Sequence, residues 1–123
     1  MTLDWTRGPL AEGLRLYNAA EYFAAHEAWE TVWLTSPEPQ KLFLQALIQV
    51  TAAFHHLQRS NPLGATRLLT AALRKLEPYP PNFATLNVAL LRDDILSHLQ
   101  SLSANQPPSI APRIHSLSVT GGG

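Results

Sequence analysis

The run Gln40-Lys41-Leu42-Phe43-Leu44-Gln45-Ala46-Leu47-Ile48-Gln49-Val50-Thr51-Ala52-Ala53-Phe54-His55-His56-Leu57-Gln58-Arg59 decides the fold. Phe43, Leu47, Val50, Phe54 and Leu57 recur at the three- and four-residue steps that stack side chains along one side of an α-helix. The run is apolar nearly all round, and a helix with no clear water-facing side belongs at the centre of its domain. Three polar residues break the pattern. Gln45, Gln49 and His56 project within about 40° of one another on a wheel of 3.6 residues per turn, with the small Ala52 beside them.

Working outward from this helix, the chain reads as helical almost throughout. Upstream, Pro9 opens a first helix with Leu10, Leu14 and Tyr17 in step, ending near Asn18. A second helix runs from near Glu21 to Leu34, and Ser36-Pro37-Glu38-Pro39 separates it from the central one. Downstream, Asn61-Pro62 is an N-cap followed by proline at the first helical position. The fourth helix buries Ala65, Leu68, Leu69, Ala72, Leu73 and Leu76 and stops at Glu77-Pro78-Tyr79-Pro80-Pro81. A fifth is expected from about Phe83 to Leu102, using Leu86, Leu90, Leu91, Ile95, Leu96 and Leu99. No segment alternates with period two for long enough to predict a strand. Short connections make neighbours antiparallel, so the expected fold is all-α: a compact bundle of about five helices built from antiparallel hairpins. Residues 1–103 make a single domain, and the Pro/Ser/Gly-rich residues 104–123 read as a tail.

Composition sets limits on function. The length of 123 residues suits one domain. Nine Lys and Arg balance nine Asp and Glu, so no basic stripe for nucleic acid and no polybasic membrane patch is present. No apolar run approaches a membrane span, and the first residues lack a signal-peptide pattern. The absence of cysteine excludes thiolate chemistry, disulfides and Cys-ligated metals. A cytoplasmic location is the expectation.

The chemistry-bearing stretch is His26-Glu27-Ala28-Trp29-Glu30-Thr31-Val32-Trp33 on helix two. His26, Glu30 and Trp33 fall within roughly 60° of arc, with Tyr22 and Phe23 just before them. A titratable pair is thus set in an aromatic stripe. If this face meets the Gln45/Gln49/His56 stripe, one polar cluster forms from two helices, whose members could satisfy one another. The cluster expected is His26, Trp29, Glu30, Trp33, Gln45, Gln49 and His56. A bland reading stands beside it: a satisfied core network in which His26 donates to Glu30 and the glutamines bridge helices, fixing register at some cost in stability.

These motifs resemble a known family. The HExWExxW run, Phe43-Leu44-Gln45-Ala46-Leu47-Ile48-Gln49, Ala52-Ala53-Phe54-His55-His56, and Gly64-Ala65 with Leu68-Leu69, Ala72-Leu73 and Leu76-Glu77-Pro78-Tyr79-Pro80-Pro81 are similar in order to DUF309, a domain-of-unknown-function family. The resemblance covers roughly residues 10 to 100. It implies a small all-helical protein of a kind found in bacteria and archaea, some of whose members carry the label of metal-dependent hydrolase. On this chain, His26 and Glu30 at i, i+4 can present one nitrogen and one oxygen to an ion such as zinc, iron or manganese. His56 would complete a two-histidine, one-carboxylate set with open positions for water and substrate. Glu27, or Glu30 itself, would then be the catalytic carboxylate. A zincin is excluded, because Glu30 stands where HExxH needs its second histidine. A di-iron bundle is excluded too, because no Glu-x-x-His pair occurs. The same residues also suit a metal-free ligand or proton-transfer site.

A second class of function fits the pattern. Gly13-Leu14, Tyr17, Tyr22, Ala25 and Pro37 are similar to a tetratricopeptide helix pair, with a looser copy in helices three and four through Ala65 and Pro78. Such stacked hairpins would make a non-enzymatic interaction module, and exposed Trp29 or Trp33 would favour a partner protein or a homodimer. Asp94 and His98, i, i+4 on helix five, read as a surface ion pair. His55 points away from His56 on the wheel, and His115 falls in the tail.

Overall fold

The computed structural model describes residues 3–104. Among them are five helices: α1 (Gly8–Asn18), α2 (Tyr22–Trp33), α3 (Gln40–Gln58), α4 (Pro62–Leu76) and α5 (Val88–Ser103). A two-stranded antiparallel ribbon, β1 (Asn82–Phe83) and β2 (Leu86–Asn87), lies between α4 and α5. The fold is all-helical, and each of the first four helices packs on the next. As its sequence requires, α3 is central: Phe43, Leu44, Ala46, Leu47, Val50 and Ala53 are wholly buried. No helix of the described residues is long and apolar enough to cross a membrane. The tail residues 105–123, with His115, lie outside the described residues.

Local chemistry sets the helix ends. Both α1 and α3 close with crossed backbone hydrogen bonds: Ala20 N–H to Tyr17 and Glu21 N–H to Leu16 in one, Ser60 N–H to Leu57 and Asn61 N–H to His56 in the other. This closure needs a left-handed residue. Ala20 and Ser60 supply it at φ 64° and 59°, with no glycine to mark the position in the sequence. Asn61 caps α4 as expected, its Oδ1 accepting from Gly64 N–H at 3.1 Å.

The start of the fifth helix differs from expectation. Residues 82–87 form the ribbon, with Ala84 and Thr85 both at positive φ in the tight turn. Two-residue hairpins use such turns because their twist suits the strands, and their usual mark is Asn-Gly or Asp-Gly. Ala-Thr carries no such mark. Leu86 is buried from a strand rather than from the helical stripe it imitates. Trp5 holds the turn, donating from Nε1 to the Ala84 carbonyl at 2.8 Å. Asn87 then caps α5, accepting from Leu90 N–H at 3.1 Å.

The α1–α2 seam carries a buried polar defect. Tyr17 is 1% exposed, stacks on Trp29 and meets Tyr22 edge-on at 5.4 Å. Its hydroxyl is buried with no hydrogen-bond partner among the described residues. Burial, first, then the neighbouring Tyr22 and Asp94 push this phenol well above its ordinary value of 10.0. The folded state therefore holds the proton more tightly than the unfolded chain. That contribution is complete below pH 10 and is lost as pH rises above it. Tyr17→Phe keeps the ring contacts and removes the orphan hydroxyl. We expect it to be neutral or up to about 1 kcal/mol more stable at pH 7, with a shallower alkaline loss in urea titrations run on both sides of pH 10. A loss of more than 1 kcal/mol would show that the hydroxyl is well satisfied. Some alkaline loss should persist, because burial raises Tyr22 and Tyr79 as well.

Candidate functional site

The first turns of α2 lie against the last turns of α3, and a groove of about 200 Å³ opens between them, lined by Tyr22, Phe23, His26, Ala52, His55 and His56. Phe23 is 60% exposed and lies 5.8 Å from the His55 ring at a 39° tilt. Ala52 forms the floor's small residue; any larger side chain there would fill the space. His26 Nδ1 stands 3.3 Å from Glu30 Oε2, with side chains 32% and 48% exposed. At that exposure solvent screens the pair, and it adds only tenths of a kcal/mol to stability. Its effect is orientation. The carboxylate's charge beside Nδ1 favours the proton on that nitrogen, which in the neutral ring leaves Nε2 as the acceptor.

His56 is set the opposite way. Its Nδ1 is 3.0 Å from Asn61 Nδ2. Asn61 Oδ1 is already engaged by Gly64 N–H, which fixes the amide's orientation and makes Nδ2 the donor. His56 Nδ1 therefore accepts, and the neutral ring carries its proton on Nε2. Asn61 has three tasks: its N–H closes α3, its Oδ1 caps α4, and its Nδ2 chooses the His56 tautomer.

The expected cluster is only partly assembled. His26 and His56 border one groove, while Glu30 acts through His26 from outside it. Gln49 does not bridge the helices: its Oε1 is buried without a hydrogen-bond partner among the described residues. Gln45, half-buried on α3, also lies outside the groove walls. Glu27 is exposed. Trp29 is wholly buried and donates from Nε1 to the Leu10 carbonyl at 3.2 Å. Trp33 is half-buried beneath Lys41, whose Nζ sits 4.8 Å from the ring centroid, and its Nε1 is buried without a partner among the described residues. Neither tryptophan is the exposed anchor that a partner-binding face would call for.

His26, Glu30 and His56 do not fit a single ion in this arrangement. Among the described residues no three His, Asp or Glu side chains are grouped closely enough to hold one. To ligate through Nε2, His56 would also have to move its proton to Nδ1 and give up Asn61.

Two features differ from sequence reasoning. His98 is buried at 7% exposure, not on the surface; its Nδ1 donates to the Asp94 carbonyl at 2.9 Å and its ring lies 5.2 Å from Phe54. His55, set aside on the wheel, shares the groove with His56, because a groove near the helix ends is bordered by adjacent residues. A second concavity, about 390 Å³, is lined by Pro39, Leu42, Pro78, Tyr79, Pro80 and Phe83. It is larger but holds no acid, base or imidazole, and Tyr79 commits its hydroxyl to the Pro39 carbonyl at 2.6 Å.

Fold and site together define a small all-helical domain with a histidine-lined groove between its second and third helices. Residues 10–68, from α1 through α3 into α4, match the family model described as Domain of unknown function (DUF309), and over that span the chain is similar to that family. A protein of Aquifex aeolicus (strain VF5), named only as an uncharacterized protein, is 28% identical over 108 residues, a match that takes in 87% of this chain. The chain spans 32% of that relative's length.

Proposed function

We propose that the α2–α3 groove is a small-ligand site that works without a metal, with Tyr22 and Phe23 holding an apolar ring and His26, oriented by Glu30, making the polar contact. The observation that carries this reading is the joining of aromatic walls and a carboxylate-oriented imidazole in one concave space. The volume suits one ring rather than a drug-sized molecule. His26 Nε2 can accept a hydrogen bond or take a proton, and Glu30 would stabilise the imidazolium formed. A metal-assisted hydrolase on His26, Glu30 and His56, with Glu27 as base, has less support, because Glu30 and Glu27 stand outside the groove and His56 Nδ1 is committed to Asn61. The tetratricopeptide-like module keeps the support of its consecutive packed helices, but both tryptophans turn inward.

Phenol and indole are suitable probes, followed through the side-chain NMR signals of Phe23, His26 and His55. Ala52→Leu, which keeps a good helix former on α3, should fill the groove and weaken either probe at least tenfold while leaving the thermal midpoint nearly unchanged. Saturable shifts that survive Ala52→Leu, or shifts confined to residues outside the groove, would reject the reading.

A further inference from the structure

The two histidines of the groove present opposite faces to whatever enters it. Each ring has Nδ1 turned to the protein: that of His26 stands 3.3 Å from the Glu30 carboxylate, whose charge favours the proton there, and that of His56 accepts from the Asn61 amide. The nitrogens left for a ligand are an acceptor on His26 and an N–H donor on His56. No Asp, Glu, Lys or Arg lines the groove, so neither an anion nor a cation meets a fixed countercharge there. Phe23 offers an open π face beside His55, on which a planar base-sized ring can stack.

Building on the ligand-site reading above, we propose that the groove takes a neutral planar ring with a lactam edge, an N–H beside a C=O, the N–H directed to His26 Nε2 and the C=O to His56 Nε2–H. A pyrimidine or purine base edge of the keto type has this chemistry. Selectivity resides in Asn61, a positioning residue that never touches the ligand. Its side chain decides whether His56 donates or accepts, and a site built to pair both groups of a ligand rejects analogues that leave one unpaired.

The test uses the full chain, with uracil, 1,3-dimethyluracil and benzoate as probes, at about pH 8.5, roughly two units above the ordinary imidazole value. Long-range proton–nitrogen spectra of the imidazole rings report both tautomer and binding. Uracil should bind at least tenfold tighter than its dimethyl derivative, which has no N–H, and tighter than benzoate. Asn61→Asp keeps a good helix cap but can only accept from His56, so the proton moves to Nδ1. Uracil affinity should then fall at least tenfold, while phenol affinity and the thermal midpoint hold. If the wild-type His56 spectrum shows the proton on Nδ1, or Asn61→Asp leaves uracil binding unchanged, the proposal is overturned. Equal binding of uracil and dimethyluracil, or tighter binding of benzoate, overturns it while leaving the ligand-site reading intact. Failure of every probe, phenol and indole included, removes both.

Discussion

Trp29→Ala should cost about 3–5 kcal/mol, the usual penalty for emptying a large aromatic from a close-packed core. Trp29 is wholly enclosed. Tyr17 stacks on it with centroids 6.1 Å apart, and Trp5 meets it edge-on at the same distance. Its indole nitrogen also donates to the Leu10 carbonyl of α1 at 3.2 Å. One side chain of α2 thus ties down α1 and the segment that precedes it. A domain of this kind has only about 5–15 kcal/mol in all, so the variant should lose on the order of 10–20 °C in thermal midpoint and should loosen α1 first. Trp29→Phe, which keeps part of the volume and loses the hydrogen bond, should fall between. The measurement is urea unfolding together with amide exchange of α1. A loss below about 1 kcal/mol would mean that α1 is held by something other than this ring. Binding of phenol in the groove, one turn away on another face of α2, should survive at temperatures where the variant remains folded.

Much of this architecture could be read from local chemistry. The apolar circumference of α3 forces it to the centre, and Asn61-Pro62 marks the start of α4 because a capping side chain and a proline without N–H suit the same helix end. The parts that could not be read lack a local mark. The turn at Ala84-Thr85 adopts positive φ twice without glycine or asparagine, held from afar by Trp5. Leu86 then falls at a spacing that continues the stripe of α5, so periodicity alone extends the helix through the ribbon. The burial of His98 lacks a local mark for a related reason: its spacing from Asp94 describes a pair, but whether that face meets water depends on Phe54 of another helix.

The site was legible as residues more than as an arrangement. His26 and Glu30 sit on one helix, four apart, and their pairing follows from helix geometry. The approach of His56 to the same groove follows from α2 and α3 being antiparallel neighbours. What wheels cannot give is which polar residues on a face reach across it. Gln45 and Gln49 share the arc of His56 but do not line the groove. Asn61 lies beyond the end of α3 and enters the site only through the crossed closure at Ser60. His55 enters because Phe23 reaches it. Loop geometry, more than periodicity, completed the groove.

Gly13→Ala should destabilise the protein by about 2 kcal/mol or more, although Ala is the better helix former by about 1 kcal/mol. A methyl at Gly13 would meet Trp29 Nε1, Cδ1 and Cε2 at 2.2, 2.4 and 2.7 Å. These are ring atoms, not the flexible end of a side chain, and Trp5 and Tyr17 leave the ring nowhere to move. The bare backbone of α1 at Gly13 is what lets the indole come close enough to bond Leu10. The two effects separate in a double-mutant cycle. With Trp29→Ala already in place the clash is gone and only helix propensity remains, so adding Gly13→Ala should stabilise by about 0.5–1 kcal/mol. The substitution reverses sign with its partner, a coupling of roughly 3 kcal/mol between contacting residues. Unfolding midpoints in urea at constant m-value would measure it. Additive effects within about 0.5 kcal/mol would mean that α1 shifts freely over α2, and that Gly13 serves the helix rather than the indole.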